Sequence, residues 1–392
     1  MEAPLTMKNK PEISLIITAA GASSRFSSDM PPHRRIKKQW LRLGAMPLWQ
    51  KVADDFKKLT DFKQIILAVS KQDFTYMQNS YDYTFVCGGQ SRQESVQNAL
   101  EYIQTPLVLI SDVARWNLDK NVLENLLLAW NEEIDCVAPY LEVPDTAVYE
   151  GQTIKRDALK RIQTPQLCNT QTLKNALSIG EFTDESSAIA ANGGKVAYIK
   201  GSHKLAKLTN ENDLFSAKDL PAPSEEIFVG SGFDVHSFEM GKKMVLGGVP
   251  IASDFGFKAH SDGDVLLHAL SDAILGAIGG GDIGEWFPDT EEAHKNADSR
   301  LLLKQIYDFA ISVGFELINA DITIFAQTPK IAPYKQAIRQ SVAELLYTDK
   351  SRVNIKATTT EHLGFIGRKE GLGVSANVHM KFINWKENIW IS

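Results

Sequence analysis

The sequence predicts an α/β protein with two domains. Its 392 residues exceed the usual length of one domain, which is roughly 100–200 residues. In the first half, short apolar runs alternate with helical spacing, the pattern of a mostly parallel sheet with helices on both faces. The polar segment Ser216–Glu226, which contains two prolines, precedes a region of mixed strands and helices that we expect to form a compact α/β or α+β domain. We therefore place a first domain at 11–215, a linker at 216–226 and a second domain at 227–392.

The strand predictions in the first half rest on apolar runs rich in β-branched and aliphatic residues. The helix predictions rest on apolar residues spaced three and four apart between those runs. Ligands bind at the carboxyl ends of the strands in such sheets, so the motifs that follow these runs are the candidate functional residues. The predicted strands are Ile13–Thr18, Ile65–Ser70 and Leu107–Ile110, and the predicted helices are Leu48–Leu59 and Ser91–Ile103.

The same patterns predict the elements of the second half. Six of the eight histidines follow the linker, so we expect a metal or acid–base site in this half rather than in the first. The predicted strands are Ile227–Val235, Asp321–Gln327, Asn354–Thr360 and Gly373–Phe382. Three helices are predicted: one that begins near Asp264, one over Arg300–Val313 and one over Pro333–Leu346.

Composition narrows the class of protein. The hydrophobic and charged fractions, 44% and 23%, are those of a globular chain and exclude a disordered or fibrous one. The net charge of −6 argues against a nucleic-acid binder. Three widely spaced cysteines form no disulfide framework and fit a reducing compartment. No signal peptide is recognisable and no apolar run approaches the length of about 18 residues that spans a bilayer, so we expect a cytoplasmic protein without membrane contact.

A segment of small residues, Ala19–Phe26 (AAGASSRF), directly follows the first predicted strand. Small residues let the backbone approach a ligand and point its amides at phosphate oxygens, and Arg25 adds a guanidinium group. The basic segment Arg34–Lys38 (RRIKK) could neutralise a triphosphate and stabilise a departing pyrophosphate. The alternative interpretation is a tight turn with a surface arginine, followed by a solvated basic loop.

Further polar motifs follow along the chain, at Gly88–Ser95 (GGQSRQES), Ser111–Arg115 (SDVAR) and Lys155–Gln166 (KRDALKRIQTPQ). Asp112 directly follows an apolar strand, where a carboxylate can hold a metal that bridges phosphates or accept a hydrogen bond from a sugar. The alternative role of Asp112 is that of a helix N-cap.

Together these motifs resemble the 2-C-methyl-D-erythritol 4-phosphate cytidylyltransferases of the non-mevalonate isoprenoid pathway, over residues 13–214. The resemblance implies a Rossmann-like nucleotidyltransferase domain that uses CTP and Mg²⁺, in which the phosphate of methylerythritol phosphate attacks the α-phosphorus and pyrophosphate leaves. It implies that Arg25 and Lys38 stabilise the transition state and that Arg156 and Lys207 position the attacking phosphate. The residues that it implies to bind CTP or substrate are Ala19, Ala20, Gly21, Gly88, Ser95, Asp112, Arg115 and Thr164.

The chain also departs from this family at identifiable positions. Ser23 stands where the family usually has its second glycine, and Lys37 stands where it has a proline before the catalytic lysine. SDVARW replaces the family's HDAARP, whereas the segment Thr183–Ala188 (TDESSA) matches it.

In the second half, GFDVH (Gly232–His236) places Asp234 and His236 two apart on a predicted strand, so both side chains leave the same face. His268 ends the motif HSDGDVLLH on the first turns of a predicted helix. One aspartate and two histidines with an open fourth position are typical of a catalytic zinc site. A lone histidine is more often a surface or core residue, but the pair on one strand face favours the metal site.

Two more motifs carry polar residues suited to a phosphorylated sugar. GDIGEWFPDT (Gly281–Thr290) offers Asp282 and Asp289 in a predicted loop. KATTTEHLGFIGRKEG (Lys356–Gly371) combines hydroxyl groups with Glu361, a set that could bind Mg²⁺ and a diphosphate together. The alternative for the second motif is an exposed strand rich in threonine.

This half resembles 2-C-methyl-D-erythritol 2,4-cyclodiphosphate synthase over residues 226–386, with Ser231 and Lys369 as small departures from the family. The resemblance implies that Asp234, His236 and His268 bind Zn²⁺ or another divalent ion and that Glu361 binds Mg²⁺. It implies that His260 and Thr359 stabilise the transition state and that Ala326–Ala332 forms the cytidine pocket. The residues implied to bind substrate are Ser261, Asp282, Ile283, Gly284, Phe287, Asp289, Ala326, Lys330, Ala332, Thr358, Thr360, Phe365 and Arg368.

The two resemblances together predict a bifunctional enzyme. Its implied substrates are CTP, 2-C-methyl-D-erythritol 4-phosphate and 4-diphosphocytidyl-2-C-methyl-D-erythritol 2-phosphate. One alternative is that the second half is a non-catalytic trimeric scaffold or isoprenoid-diphosphate sensor, for which Phe233, Arg368 and Glu370 lie at matching positions. Another is a different sugar phosphate as substrate of the first half. The second family forms homotrimers and the first tends to dimerise, so we expect a homo-oligomer, with a hexamer satisfying both symmetries.

Overall fold

The computed structural model describes residues 11–78, 80–259, 262–288 and 297–390, and these divide into two compact units. The first unit contains the described residues up to Phe26 together with Lys38–Pro221. The second contains Ser27–Lys37 and the described residues from Ala222 to Trp390. Among the helices of these ranges, none is long and apolar enough to cross a membrane.

The first unit is an α/β structure whose strands and helices alternate along the chain. Its strands are β1 (Ile13–Ala19), β2 (Arg42–Leu43), β3 (Met46–Pro47), β4 (Ile65–Val69), β5 (Thr84–Cys87), β6 (Leu107–Asp112), β7 (Cys136–Glu142), β8 (Ala147–Tyr149), β9 (Gln152–Ile154), β10 (Lys160–Ile162), β11 (Gln166–Asn169) and β12 (Val196–Lys200). Its helices are α1 (Ser24–Ser27), α2 (Leu48–Leu59), α3 (Lys71–Met77), α4 (Arg92–Leu100), α5 (Lys120–Ala129), α6 (Thr170–Leu177) and α7 (Glu185–Ala191), of which α1 ends one residue past the unit.

The main sheet of this unit has the order β10-β7-β11-β6-β1-β4-β5, with β12 paired to β7. Strands β6, β1, β4 and β5 run parallel, which confirms the predicted parallel core, whereas β11 pairs antiparallel to β6. Leu15, Ile16 and Ile17 of the central strand are fully buried, as expected for a strand covered on both faces. The carboxyl ends of β1 and β6 therefore meet at one edge, where Thr18 is paired with Asp112.

The second unit is built from a mixed sheet and long helices. Its strands are β13 (Ile227–Met240), β14 (Met244–Leu246), β15 (Val249–Ile251), β16 (Phe255–Phe257), β17 (Phe315–Phe325), β18 (Val353–Thr358) and β19 (Gly371–Phe382). Its helices are α8 (Val265–Ile278), α9 (Ile283–Trp286), α10 (Ser299–Ser312), α11 (Lys335–Leu345) and α12 (Gly364–Gly367).

Strand β13 and helix α8 pack unusually closely in this unit, within a sheet of order β16-β13-β19-β17-β18. A Cβ atom at Gly230 would lie 1.9 Å from the carbonyl oxygen of Ala273, and one at Gly232 would lie 2.0 Å from that of Ala269. Only glycine permits this approach, and it brings the helix against the even-numbered face of the strand. Asp234 and His236 continue that face toward the helix N-terminus.

Two local predictions for the second half need correction. The helix predicted over Pro333–Leu346 is present as α11, but it begins at Lys335, and Pro333 lies in a preceding 3₁₀ turn at Ala332–Tyr334. The segment predicted as a loop around Asp282 contains α9, because the Asp282 carboxylate caps that helix by accepting a hydrogen bond from the amide of Glu285 at 3.0 Å.

Candidate active sites

The small-residue loop after β1 is held by a buried side chain, Gln39. Its amide nitrogen donates hydrogen bonds to the carbonyl oxygens of Ala19 and Gly21, both at 3.0 Å. These bonds hold the backbone of the loop, in which Gly21 is exposed and Ala20 is half-buried. Sequence reasoning missed Gln39, because a glutamine within a basic segment carries no distinctive signal.

The hydrogen bonds of Ser23 explain how the chain tolerates a serine at a position where the cytidylyltransferase family usually has glycine. Its φ of 59° lies in the left-handed region, which a glycine would adopt without strain. The hydroxyl donates to the side-chain oxygen Oε1 of Gln39 at 3.1 Å and accepts from the backbone amide of Lys38 at 3.1 Å. Ser23 therefore joins the loop to Lys38, which the sequence predicted as a catalytic residue.

A second glycine segment packs directly against this loop. A Cβ atom at Gly88 would lie 2.5 Å from the Cβ of Ala20 and 2.8 Å from the hydroxyl of Ser95. That hydroxyl also accepts a hydrogen bond from the amide of Gly89 at 3.1 Å. Ala20, Gly88 and Ser95, which the sequence predicted as ligand-binding residues, thus lie together.

Three cations gather beside these segments. Lys38 donates to the carbonyl oxygen of Leu208 at 3.0 Å. Burial and the neighbouring charges of Lys207 and Arg25 lower the pKa of Lys38 to about 8, although Asp112 opposes the shift. Concentrated positive charge of this kind is suited to a polyphosphate, whose binding would relieve the repulsion.

Asp112 is the centre of a buried polar network at the end of β6. Its carboxylate accepts hydrogen bonds from Lys207 at 2.7 Å, Arg92 at 2.8 Å and Thr18 at 3.1 Å. Burial alone would raise the pKa of Asp112, but Arg92 and Lys207 outweigh burial and hold it well below its usual range. The helix that follows β6, α5, begins at Lys120 with Asp119 as its N-cap, so the alternative role of Asp112 as a helix N-cap is wrong.

Thr164 and Arg115 extend this network. The hydroxyl of Thr164 accepts hydrogen bonds from the Asp112 amide at 3.3 Å and from the Arg115 guanidinium at 2.9 Å. Arg115 also donates to the carbonyl oxygen of Leu205, and burial lowers its pKa. Arg115, Arg161, His203 and Lys207 are among the residues that line an adjoining cavity of about 330 Å³.

Arg92 and Glu185 are functional candidates that sequence reasoning missed. Arg92 begins α4 and donates to both carboxylate oxygens of Glu185, at 2.7 and 3.2 Å, while it also contacts Asp112. Both residues stand in motifs that were recognised, Gly88–Ser95 and Thr183–Ala188. The signal was present, but sequence alone does not indicate that the two charges meet.

Two further basic groups of the sequence analysis have contacts of their own. Arg34 and Lys37 belong to the second unit, where Arg34 pairs with Glu387 at 2.9 Å, and for these two residues the role in neutralising a triphosphate stays a prediction. Arg156 lies on an exposed 3₁₀ turn, and its guanidinium donates to the carbonyl oxygen of Pro144 at 2.6 Å.

In the second unit, Asp234, His236 and His268 converge on one point. An Asp234 carboxylate oxygen lies 3.3 Å from Nε2 of His236 and 3.2 Å from Nδ1 of His268. Among the described residues, this is the one group of three or more His, Cys, Asp or Glu side chains whose ligand atoms all lie within 4.8 Å of one another. The set of two imidazoles and one carboxylate fits a divalent metal with an open position.

The electrostatics of the two histidines differ. Burial lowers the pKa of His236, although Asp234 partly opposes this. Burial also acts to lower the pKa of His268, but the hydrogen bond to Asp234 outweighs it and the pKa is raised. Either a proton on His268 or a bound metal ion would therefore supply positive charge that stabilises the Asp234 carboxylate.

The loops after β17 and β18 bring the remaining predicted residues close together. Phe325 is paired with Thr358 across these parallel strands, and the Ala326 amide donates to the Thr358 carbonyl oxygen at 2.9 Å. Beyond β18, the Thr359 hydroxyl donates to the Glu361 carboxylate at 2.7 Å. Since β18 ends at Thr358, the interpretation of the threonine run as a continuous exposed strand was wrong.

The other predicted residues of this unit are distributed along the same chain segments. Ile283 and Gly284 belong to α9, which Phe287 follows, and the Ile283 amide donates to the Asp272 carboxylate at 2.8 Å. Arg368 pairs with Glu370 at 2.8 Å. Lys330 precedes the 3₁₀ turn that Ala332 begins, Thr360 lies beyond β18, and Phe365 lies in α12. His260, Ser261 and Asp289 lie outside the described residues.

Known proteins resemble both units at once. The family model of 2-C-methyl-D-erythritol 4-phosphate cytidylyltransferase matches residues 13–220, and that of the YgbB family matches residues 227–381. The bifunctional enzyme IspD/IspF of Wolinella succinogenes is 48% identical over 377 residues, which cover 96% of this chain and 98% of that protein. The enzyme of the same name from Aliarcobacter butzleri is 49% identical over 380 residues, covering 96% and 99%. The structure of the bifunctional IspDF from Campylobacter jejuni is similar with a TM-score of 0.84 and 47% identity, covering 96% of this chain and 100% of that one.

Proposed function

The chain belongs to the family of bifunctional IspD/IspF enzymes, and from this membership we propose which residues perform each reaction. The enzyme transfers CMP from CTP to 2-C-methyl-D-erythritol 4-phosphate and releases pyrophosphate. It also cyclises 4-diphosphocytidyl-2-C-methyl-D-erythritol 2-phosphate to the 2,4-cyclodiphosphate and releases CMP. The observation that carries this conclusion is the identity of 48–49% to enzymes of this name along 96% of the chain. A non-catalytic second unit is not favoured, since the Asp234, His236 and His268 group is intact.

For the first reaction, we assign Arg25 and Lys38 to the phosphates of CTP. An oxygen of the methylerythritol phosphate attacks the α-phosphorus while the bond to the pyrophosphate oxygen breaks, so negative charge grows on the leaving group. The neighbouring positive charges of Arg25 and Lys38 support stabilisation of that charge. The nucleotide is placed against the small-residue face of Ala20, Gly88 and Ser95, where glycine leaves room for its close approach.

Lys207 and Arg156 position the attacking phosphate in this proposal. Lys207 lines the cavity that also includes Arg115, Arg161 and His203, and these basic walls are suited to a phosphorylated polyol. Lys207 is paired with Asp112 at 2.7 Å, which holds its ammonium group in place. The ionised Asp112 is then available to the ribose or to an Mg²⁺ ion that accompanies CTP.

For the second reaction, we assign Asp234, His236 and His268 as ligands of Zn²⁺ or a similar divalent ion, and Glu361 as a ligand of Mg²⁺. Bound there, such ions would neutralise the charge of the substrate's diphosphate as CMP departs. Thr359 holds the Glu361 carboxylate and points its hydroxyl group into the same loop, which supports a role for both beside the diphosphate. The proposed cytidine pocket begins at Ala326, beside Thr358.

We also propose that the enzyme is a homo-oligomer built on trimers of the second unit, with a hexamer satisfying the symmetry of both units. One face of β13 supports this proposal, because Ile227, Val229, Phe233 and Val235 are all exposed along it. A row of apolar side chains on one sheet face is typical of a surface that another subunit covers. A cytoplasmic location follows in the same proposal, since CTP is a cytoplasmic metabolite.

Paired assays on the full-length chain test these assignments. Arg25→Ala should strongly reduce release of pyrophosphate from CTP and methylerythritol phosphate, while release of CMP from the diphosphocytidyl 2-phosphate substrate is retained. Replacement of CTP by ATP, GTP or UTP, and of methylerythritol phosphate by other polyol phosphates, tests the substrate of the first unit. Equal loss of both activities in this variant would contradict the assignment of one reaction to each unit.

A further inference from the structure

We propose that Asp262 and Ser299 are positioning residues that determine which nitrogen of His268 faces the metal, and that the backbone carbonyl of Gly263 does the same for His236. This inference rests on the proposed metal site. It concerns residues that do not themselves touch the ion, and it predicts through which nitrogen each imidazole would bind the ion.

The hydrogen bonds around Ser299 have only one consistent direction. Nε2 of His268 lies 2.9 Å from the Ser299 hydroxyl, and that hydroxyl lies 2.5 Å from a carboxylate oxygen of Asp262. An ionised carboxylate can only accept, so the serine hydroxyl donates to Asp262. The hydroxyl oxygen then accepts from His268, which places a proton on Nε2 and leaves Nδ1, which faces Asp234, as the nitrogen that a metal ion would use.

Asp262 is held in this role by a second hydrogen bond. Its other carboxylate oxygen accepts from the backbone amide of Ser299 at 3.2 Å. Ser299 is 1% exposed and is the first residue of α10, so its hydroxyl and amide are both directed at Asp262 from a rigid element. The pair of bonds fixes the carboxylate and, through it, the rotation of the serine hydroxyl.

His236 is fixed by the next residue of the same segment. Its Nδ1 lies 3.1 Å from the carbonyl oxygen of Gly263, which can only accept, so Nδ1 carries the proton. Its Nε2 therefore presents a lone pair to Asp234. Gly263 has a φ of 72°, a conformation that suits glycine and turns the chain between Asp262 and the N-cap of α8 at Asp264.

The adjacent residues Asp262 and Gly263 thus direct both imidazoles. In their neutral forms, the rings aim two nitrogen lone pairs at the carboxylate of Asp234, which is itself an acceptor. Three acceptors that converge repel one another unless a cation lies between them. Partners of this kind, which receive the second N–H of a metal-bound histidine, typically contribute a factor of about 10–100 to metal affinity.

Asp262→Asn tests the role of the carboxylate, because the introduced carboxamide has one acceptor oxygen where Asp262 has two. One Asp262 oxygen accepts from the Ser299 amide, and the other accepts from both the Asp264 amide at 3.3 Å and the Ser299 hydroxyl. In either orientation the NH₂ group of the carboxamide meets a backbone N–H, so the variant no longer fixes the serine hydroxyl that receives Nε2 of His268. Ser299→Ala removes the link, whereas Ser299→Thr keeps the hydroxyl. Asp298→Asn, at the neighbouring N-cap of α10, is the matched control.

The first measurement is the affinity of the metal-free, full-length chain for Zn²⁺ alone, by competition with a chromophoric chelator. We expect Asp262→Asn and Ser299→Ala to weaken binding about 10–100-fold, with Ser299→Thr and Asp298→Asn within about threefold of the unchanged protein. Unchanged affinity in both Asp262→Asn and Ser299→Ala would overturn the inference. Equal weakening by Asp298→Asn would also overturn it, since that would reflect general damage to the start of α10.

The second measurement is the nitrogen through which His268 binds Zn²⁺, from ¹⁵N spectra of the zinc-loaded, histidine-labelled chain, with His268→Gln to assign the signals. We expect a metal-bound Nδ1 and a protonated Nε2 in the wild-type protein, and a shifted Nε2–H signal in Ser299→Ala, which lacks the hydroxyl that receives this N–H. A metal-bound Nε2, or an Nε2–H signal that Ser299→Ala leaves unshifted, would overturn the inference. Absence of Zn²⁺ binding by the wild-type protein would instead contradict the proposed metal site itself.

Discussion

Arg92 and Glu185 form a bidentate ion pair, in which Glu185 is 1% exposed. The guanidinium group of Arg92 also donates a hydrogen bond to Asp112. The pair joins the first residues of α4 and α7, which are far apart in the chain, at the end of strand β6. Burial would lower the pKa of Arg92, but Glu185 and Asp112 outweigh it and raise the pKa above its usual value. Arg92 therefore stays charged and keeps Asp112 ionised.

We predict that Arg92→Gln destabilises the first unit by about 3 kcal/mol, because it leaves the buried carboxylate of Glu185 without a charged partner. Hydrogen–deuterium exchange of the β6 amides in the full-length chain measures this loss locally. The double variant Arg92→Gln/Glu185→Gln should recover more than half of it. Lys242→Gln, which breaks an exposed ion pair with Glu239, is the control and should cost less than about 1 kcal/mol. Equal effects of the exposed and buried changes would contradict the prediction.

The sequence predicted the parts of the fold and of the sites that depend on short-range periodicity. The two-residue period of a β-strand predicted that Asp234 and His236 share one face, and the structure brings both side chains close to His268. The apolar run before Asp112 predicted a buried strand with a carboxylate at its end. These relationships are confined to a few consecutive residues, so local physics is sufficient to specify them.

The parts that failed depend on where distant segments meet. Arg92 and Glu185 are 93 positions apart, and no local pattern distinguishes a buried ion pair from two solvated charges. The basic segment was interpreted by its charge density, which does not indicate that Arg34 pairs with Glu387, a residue of the same unit 353 positions along the chain. Gln39 and Ser299 act through hydrogen bonds whose partners become neighbours only when the chain is folded.

We predict that the kcat/KM for CTP falls as the pH rises through about 8, because Lys38 is charged below its pKa of about 8 and loses its proton above it. Lys38→Arg keeps the charge at all accessible pH values and should remove this alkaline decline, even if its rate is lower. The measurement is the pH–rate profile of cytidylyl transfer with saturating methylerythritol phosphate. An exposed control, Lys204→Arg, should retain the decline. The same decline in Lys38→Arg would assign it to another group.

We predict that Lys207→Ala raises the KM for methylerythritol phosphate about 10–100-fold, the effect of losing one or two charge-assisted hydrogen bonds to a phosphate. The KM for CTP should change much less, since Lys207 faces the cavity shared with Arg115 and Arg161. Arg156→Ala should likewise raise the KM for methylerythritol phosphate more than the KM for CTP. Initial-rate kinetics with each substrate varied in turn measure the split. A larger effect of both changes on CTP would reverse the proposed roles.

We predict that His268→Ala abolishes cyclisation and leaves cytidylyl transfer within about twofold of the unchanged enzyme. The substitution removes one of three converging ligand atoms in the second unit, and the charge that a divalent ion supplies there is worth several kcal/mol, or a rate factor of about 10³ or more. Zinc content after dialysis should fall in the same variant. Asp308→Asn, an exposed acid on α10 that pairs with Lys304, is the control and should change neither activity nor zinc content. Because each reaction is assigned to residues of a separate compact unit, parallel loss of both activities in His268→Ala would show that the units are catalytically coupled.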